Sequence, residues 1–142
     1  MVRFLTGNEK VHLKGFKIYM GLCASDELGK EFEQNYIPGS KQLVFSMDDG
    51  WIYSNGVAEW FDLQLDTPFW YNGTDNLLID FAWTWGDVDI YVYAWDSGSQ
   101  RSMYAPAGSA TGYTDSTVIH MSLQGTLGLE SSTFAHIKAL FN

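Results

Sequence analysis

The sequence predicts an all-β protein: a two-sheet antiparallel sandwich, jelly-roll-like, with one short helix near residues 25–35. Three observations carry this expectation. Apolar and polar residues alternate through most of the chain with the two-residue period of a half-buried strand. Turn dipeptides separate the alternating runs: Pro38-Gly39, Asp49-Gly50, Asn55-Gly56, Asn72-Gly73, Trp85-Gly86 and Ser97-Gly98. Helical periodicity between the strands, which a parallel α/β sheet requires, is missing.

The elements follow in order. Val11-His12-Leu13-Lys14 alternates. After Gly15 the phase slips by one, so Phe16, Ile18 and Met20 share a face opposite Lys17 and Tyr19. A glycine at such a slip predicts a β-bulge. Ser25 reads as a helix N-cap, with Asp26 and Glu27 in the first turn and Leu28 and Phe32 at i,i+4. Gly29 keeps that helix short. A strand over Lys41–Ser46 carries Leu43 and Phe45 on one face. Val57–Leu65 places Phe61, Leu63 and Leu65 on one side and Trp60, Asp62 and Gln64 on the other. Asn76–Trp85 groups Leu77, Ile79, Phe81 and Trp83. Asp87–Trp95 groups Val88, Ile90, Val92 and Ala94. Ser116–Gln124 carries Ile119, Met121 and Leu123, and Thr133–Phe141 carries Ala135, Ile137, Ala139 and Phe141.

A length of 142 residues fits a single domain over 1–142, large enough to bury a core without staples. Hydrophobic residues at 46% exclude intrinsic disorder as the main state. Eight Lys and Arg against 17 Asp and Glu give a net charge of −9, which excludes nucleic-acid binding through phosphates. The charge is uneven: between Gln42 and Ile137 there are 12 acids and one base, Arg101. This acidic surface repels polyanions and attracts cations. No apolar run is long enough to span a bilayer. The opening Met1–Asn8 lacks the apolar stretch of a signal peptide, which leaves a cytoplasmic protein or a piece of a longer exported one. Cys23, the single cysteine, reads as a small buried hydrophobe and allows no internal disulfide.

The run Leu65-Asp66-Thr67-Pro68-Phe69-Trp70-Tyr71-Asn72-Gly73-Thr74-Asp75-Asn76-Leu77-Leu78 resembles a β-sandwich module of large secreted and surface-displayed bacterial proteins, whose signature is L-x-T-P-F-x-Y-x-G-x-x-N-L-L. Phe16–Met20, the Phe32 and Asn35 pair, Arg101–Ala105 and Ala110–Gly112 extend the resemblance over about residues 11–125. It implies a sandwich fold and an extracellular or cell-surface location within a larger exported protein. It implies no activity. In such modules the Pro-Phe bends a strand and plugs the core, and the Asn-Gly closes a hairpin. They carry a further N-terminal strand, which is short or missing here.

The chemistry-bearing residues point away from catalysis. No Gly-x-Ser-x-Gly elbow exists. His12, His120 and His136 fall on polar phases or edges of strands, where a histidine is a surface or structural residue. The paired acids fall at turns, where carboxylates face water. Those same acids, Asp48 and Asp49 beside Gly50, and Asp87 and Asp89 beside Gly86, are candidate calcium ligands, since calcium takes hard oxygen donors on loops. A solvated acidic loop is the alternative.

The aromatic residues are more informative. Opposite the aliphatic face of the Asp87–Trp95 strand stand Asp89, Tyr91, Tyr93 and Trp95. Rings at i, i+2 and i+4 on one face are spaced by about 6.5–7 Å. They form a flat amphipathic platform that suits sugar rings. Trp60, on the polar phase of its own strand, extends it, and Trp51 and Tyr53 lie in a loop beside Asp48-Asp49. Three readings of this face stand open: a polysaccharide-binding surface, a protein interface, or burial under another element. The first expectation is therefore a non-catalytic extracellular binding or adhesion module using Trp60, Tyr91, Tyr93 and Trp95 on a glycan or a surface protein. The second is a structural subunit that self-assembles through the same face and an open sheet edge.

Overall fold

A computed structural model describes residues 1–54, 56 and 58–125. The protein is all-β. The strands are β1 (Val2–Thr6), β2 (Lys10–Cys23), β3 (Gln42–Tyr53), β4 (Glu59–Leu63), β5 (Asn76–Ala82), β6 (Trp85–Gly86), β7 (Ala94–Asp96), β8 (Ser102–Tyr104), β9 (Tyr113–Asp115), β10 (Thr117–Ile119) and β11 (Met121–Leu123). They form several antiparallel sheets. β2 is the hub of the largest, between β3 on one side and β5 and β6 on the other. A second sheet has the order β11-β1-β4. β10 pairs with β7, and β8 with β9. Most pairings join strands distant in sequence.

The core forms where alternation is strongest. Val11, Leu13, Phe16, Ile18 and Met20 of β2, with Val44 and Ile52 of β3, are buried together with Phe61 and Leu63 of β4. The β2 and β4 sheets therefore share one core, in the manner of a sandwich. Leu77, Ile79 and Phe81 of β5 and Ile90, Val92 and Ile119 pack against it. Cys23 is buried, as expected, with its thiol 3.3 Å from the Ser25 carbonyl.

The phase slip at Gly15 is real, with a different mechanism from a single bulge. Gly15 has φ +61°, and a Cβ there would lie 2.8 Å from Thr84 Oγ1. The Thr84 N–H and hydroxyl both donate to the Lys14 carbonyl at 2.9 Å. β3 keeps step across the slip, pairing Lys14 with Asp49 and Phe16 with Met47. The register shifts later, at Ile18/Tyr19, where Val44 is the extra residue on β3. The bulge carries Val44 into the core, whereas Leu43, expected there, is exposed. It also turns the Val44 carbonyl toward the N–H groups of Asp66 and Thr67, while the Asp66 carboxylate accepts the Ser46 N–H at 2.9 Å. The edge of β3 is covered there by the Asp66-Thr67-Pro68 segment.

Other departures from expectation have tertiary causes. Asp49-Gly50 is not a turn: β3 runs straight through it, templated by the 14 residues of β2. Asn72-Gly73 closes no hairpin. The Asn72 side chain accepts the N–H groups of Thr74 and Asp75, and the turn carries the chain from the β4 sheet to the β5 sheet. The short helix is a single 3-10 turn, Glu33–Asn35. Ser25 Oγ accepts the Glu27 N–H at 3.2 Å, but the intervening residues run as bends. Residues Val2–Thr6 form a strand, β1, at the centre of its sheet. The Ser116–Gln124 strand is broken at His120 into β10 and β11, which serve different sheets. The Thr133–Phe141 strand and His136 lie outside the described residues.

Candidate functional site

The segment after β6 follows the edge of β2 back toward β1 without forming a continuous ladder. Asp87 N–H donates to the His12 carbonyl at 3.2 Å, and His12 N–H returns a bond to Asp87 Oδ1 at 2.8 Å. Asn8 clamps the next stretch: its amide donates to the Asp89 carbonyl at 3.3 Å and accepts Tyr91 N–H at 2.8 Å. Gly7 and His120 then donate to the carbonyls of Tyr91 and Tyr93, both at 2.8 Å. Only Ala94–Asp96 pairs as a strand, with β10. The expected strand over 87–95 is thus mostly held by side-chain and single backbone bonds.

Alternation survives within this irregular backbone. Ile90 and Val92 turn inward and line, with Val11, Leu13, Ile52 and Phe61, an apolar cleft of about 100 Å³ between the sheets. Tyr91, Tyr93 and Trp95 have the opposite phase and are 64%, 45% and 52% exposed. Burial under another element is not what this face does among the described residues. Asp89 shares their phase and is exposed. Trp60 lies on another strand, β4, half-buried, with the Arg3 guanidinium 5.4 Å from its ring centre. Arg3 is itself held by Asp62 through two bonds of 2.7 and 2.9 Å.

A second aromatic group stands on the outer face of β3, β2 and β6. Trp51 and Tyr53 are strand residues, not loop residues as expected. Opposite them on β2 stand His12 and Lys10. The His12 ring stacks on Trp51 at 4.7 Å and 15°, and meets Trp85 edge-on at 5.5 Å. Tyr53 stacks loosely on Trp51 at 6.4 Å. Lys10 lies over Trp51 at 5.1 Å and Lys14 over Trp85 at 5.4 Å. Asp49 accepts from His12 Nε2 at 2.5 Å and pairs with Lys14 at 3.4 Å. The His12 hydrogen bond, with help from Lys14, holds the Asp49 carboxyl below the usual carboxylate range. This is a self-satisfied cross-strand ladder of rings and charges. Sequence reading missed it because Asp49-Gly50 looks like a turn. Read as one strand, Asp49, Trp51 and Tyr53 fall on one face.

The four acids proposed as calcium ligands do not converge. Asp48 and Asp49 are consecutive residues of β3. The Asp49 carboxylate is held by His12 and Lys14, and Asp87 Oδ1 accepts the His12 backbone N–H. Among the described residues, no three or more His, Cys, Asp and Glu side chains cluster as a metal site.

A third polar cluster lies between β2, β3 and β5. Lys41 sits over the Tyr19 and Tyr36 rings at 4.6 and 4.9 Å, bonds Glu33 and lies 3.9 Å from Asp80. The Tyr36 ring packs flat on Gly21, where any Cβ would overlap it. Its hydroxyl is buried without a hydrogen-bond partner among the described residues. Burial, with the charges of Asp80 and Glu33, pushes the Tyr36 pKa up. Burial also raises the Asp80 pKa, with Lys41 opposing. These groups are packed in place and serve the fold. No protein family, curated protein or solved structure matches this chain.

Proposed function

We propose that the protein is a non-catalytic binding module that takes glycan chains on the row Tyr91, Tyr93 and Trp95. The observation that carries this reading is the exposure of three large rings in alternating positions on a segment whose Ile90 and Val92 pack on the core. A monomeric protein leaves large rings in water at a cost, and a contiguous apolar row with polar handles suits a partner. Sugar rings offer C–H faces to such rings and hydroxyls to the amides and acids beside them. An extracellular or surface location, as part of a larger exported protein, belongs to the same reading and rests on the resemblance of Leu65–Leu78 to modules of that kind.

The test is tryptophan fluorescence and calorimetry against soluble polysaccharides, with Tyr91→Ala and Trp95→Ala as controls. Saturable quenching that both variants abolish supports the reading. Size-exclusion with light scattering separates it from assembly. A defined oligomer that Trp95→Ala dissociates, with no sugar response, makes the row an interface between copies.

A further inference from the structure

The charge around the row narrows the ligand. The inference rests on the glycan reading above. Asp89 stands two residues before Tyr91 and is exposed, as are Tyr91, Tyr93 and Trp95, so acid and rings recur at every second position. The Asp89 carbonyl accepts the Asn8 amide at 3.3 Å, and the residue is exposed. At the far end Asp96 follows Trp95 on β7. The Gly98 N–H and Ser116 keep its carboxyl below the usual carboxylate range, and Asp115, the last residue of β9, is likewise held low by Thr117. Hydrogen bonding thus favours the charged form of both Asp96 and Asp115. The flanking backbone partners are Gly7, Asn8, His120 and β10, and none carries a lysine or arginine.

Several of the described cations are engaged away from the row. Arg3 is held by Asp62 beside Trp60, Lys14 by Asp49, and Lys41 by Glu33. Lys10 lies over Trp51. Arg101, the single base between Gln42 and Ile137, lies beside Asp115 at the far end, its N–H donating to the Asp115 carbonyl at 3.1 Å and its Nε to Ser99 Oγ at 2.9 Å, so the end that no described cation adjoins is that of Asp89. The Asp89 end of the row is therefore acidic, on a protein of net charge −9. Such a field raises the local concentration of cations and repels uronates and sulfated sugars. Aromatic faces add attraction for an ammonium group.

We infer that the row binds consecutive units of a linear glycan whose sugars carry protonated amino groups, with the rings on Tyr91, Tyr93 and Trp95 and an ammonium against Asp89. The experiment is calorimetry with three β-linked hexamers, of glucosamine, N-acetylglucosamine and glucose, at low and at high salt. It uses the wild-type protein, Asp89→Asn and Trp95→Ala. The expected result is binding of the glucosamine hexamer at least about tenfold tighter than either neutral hexamer, worth about 1.4 kcal/mol. That advantage shrinks in high salt and in Asp89→Asn, while Trp95→Ala weakens all three. Equal binding of the three, or preference for a neutral hexamer, with Trp95→Ala still weakening them, overturns the amino-sugar inference and leaves the glycan reading standing. Binding of none of the hexamers, nor of any polysaccharide in the broader screen, overturns both.

Discussion

Two aromatic surfaces of this protein look alike in composition and differ in what their rings touch. On β3, β2 and β6, Trp51 is stacked on His12, flanked by Tyr53 and covered by Lys10, and Trp85 carries Lys14. On the 89–95 segment, Tyr93 and Trp95 have no ring or cation partner among the described residues. Exposure alone does not separate them: Trp51 and Trp85 are 41% and 46% exposed, Tyr93 and Trp95 45% and 52%. An exposed ring whose face is already taken by a histidine or lysine has its interaction energy within the fold. One whose face is not taken keeps it for a partner. The difference comes from neighbours. The ladder runs from β3 across the central strand β2 to β6, with His12 and Lys10 of β2 against Trp51 and Lys14 against Trp85. The row follows a segment bonded through backbone groups and the Asn8 amide.

The largest expected effect tests what both surfaces share. Phe61→Ala removes a ring buried at the junction of the two main sheets and costs about 3–5 kcal/mol in denaturant unfolding. Both surfaces depend on that core, so ladder and row lose structure together. If near-UV dichroism shows one aromatic group intact after the other has melted, they belong to separate cooperative units.

Next in size is Trp95→Ala, expected to weaken glycan binding at least about tenfold, or 1.4 kcal/mol, with stability unchanged within about 0.5 kcal/mol. Its counterpart is Trp51→Ala. Losing the His12 stack and the Lys10 contact costs about 1 kcal/mol of stability and leaves glycan affinity as it was. An inverted pattern, with Trp51→Ala abolishing binding and Trp95→Ala destabilising, would exchange the roles of the two surfaces.

Two carboxylates sharpen the contrast through pH. The Asp80 pKa is raised in the folded protein, so between the ordinary carboxylate value and the raised one the fold keeps a proton that the unfolded chain has released. Stability from this group is full in acid and declines as pH rises through that window. Asp80→Asn removes the decline. Asp49 of the ladder works in the other sense: its pKa is lowered, so its contribution is present at neutral pH and is lost as pH falls through the carboxylate range. Asp49→Asn flattens the acid side of the stability curve. Unfolding midpoints measured across the acid-to-neutral range for both variants check the two signs. The smallest expected effect is that of a chelator. With Asp49 and Asp87 engaged by His12 and Lys14, calcium removal leaves the melting temperature unchanged, and a drop would point to a cation site that the four acids form in another arrangement.

Much of the fold was legible because burial on one side of a strand writes itself into every second residue. Val11, Leu13, Phe16, Ile18 and Met20 were readable as one core face, slip included, and so were Phe61 and Leu63. Tyr91, Tyr93 and Trp95 were readable as a row for the same reason. Strand ends and partners were not, because a dipeptide such as Asp49-Gly50 or Asn72-Gly73 reports only local preference. At Gly50 the long β2 template overrode it, and at Asn72 the chain used the turn to change sheets.

By itself the sequence determined the class of the fold, the inward face of its long strands, the acidic field and the position of the aromatic row, all set by side-chain chemistry at a fixed period. Tertiary structure alone decided which residues meet across strands. It brought Trp51 to His12 and Lys10, gave Trp60 to Arg3, committed Asp49 and Asp87, and left Tyr93 and Trp95 without such a partner among the described residues. The physical reason is register. Pairing between strands far apart in sequence is fixed by the whole core at once, and a shift of one residue reverses every face.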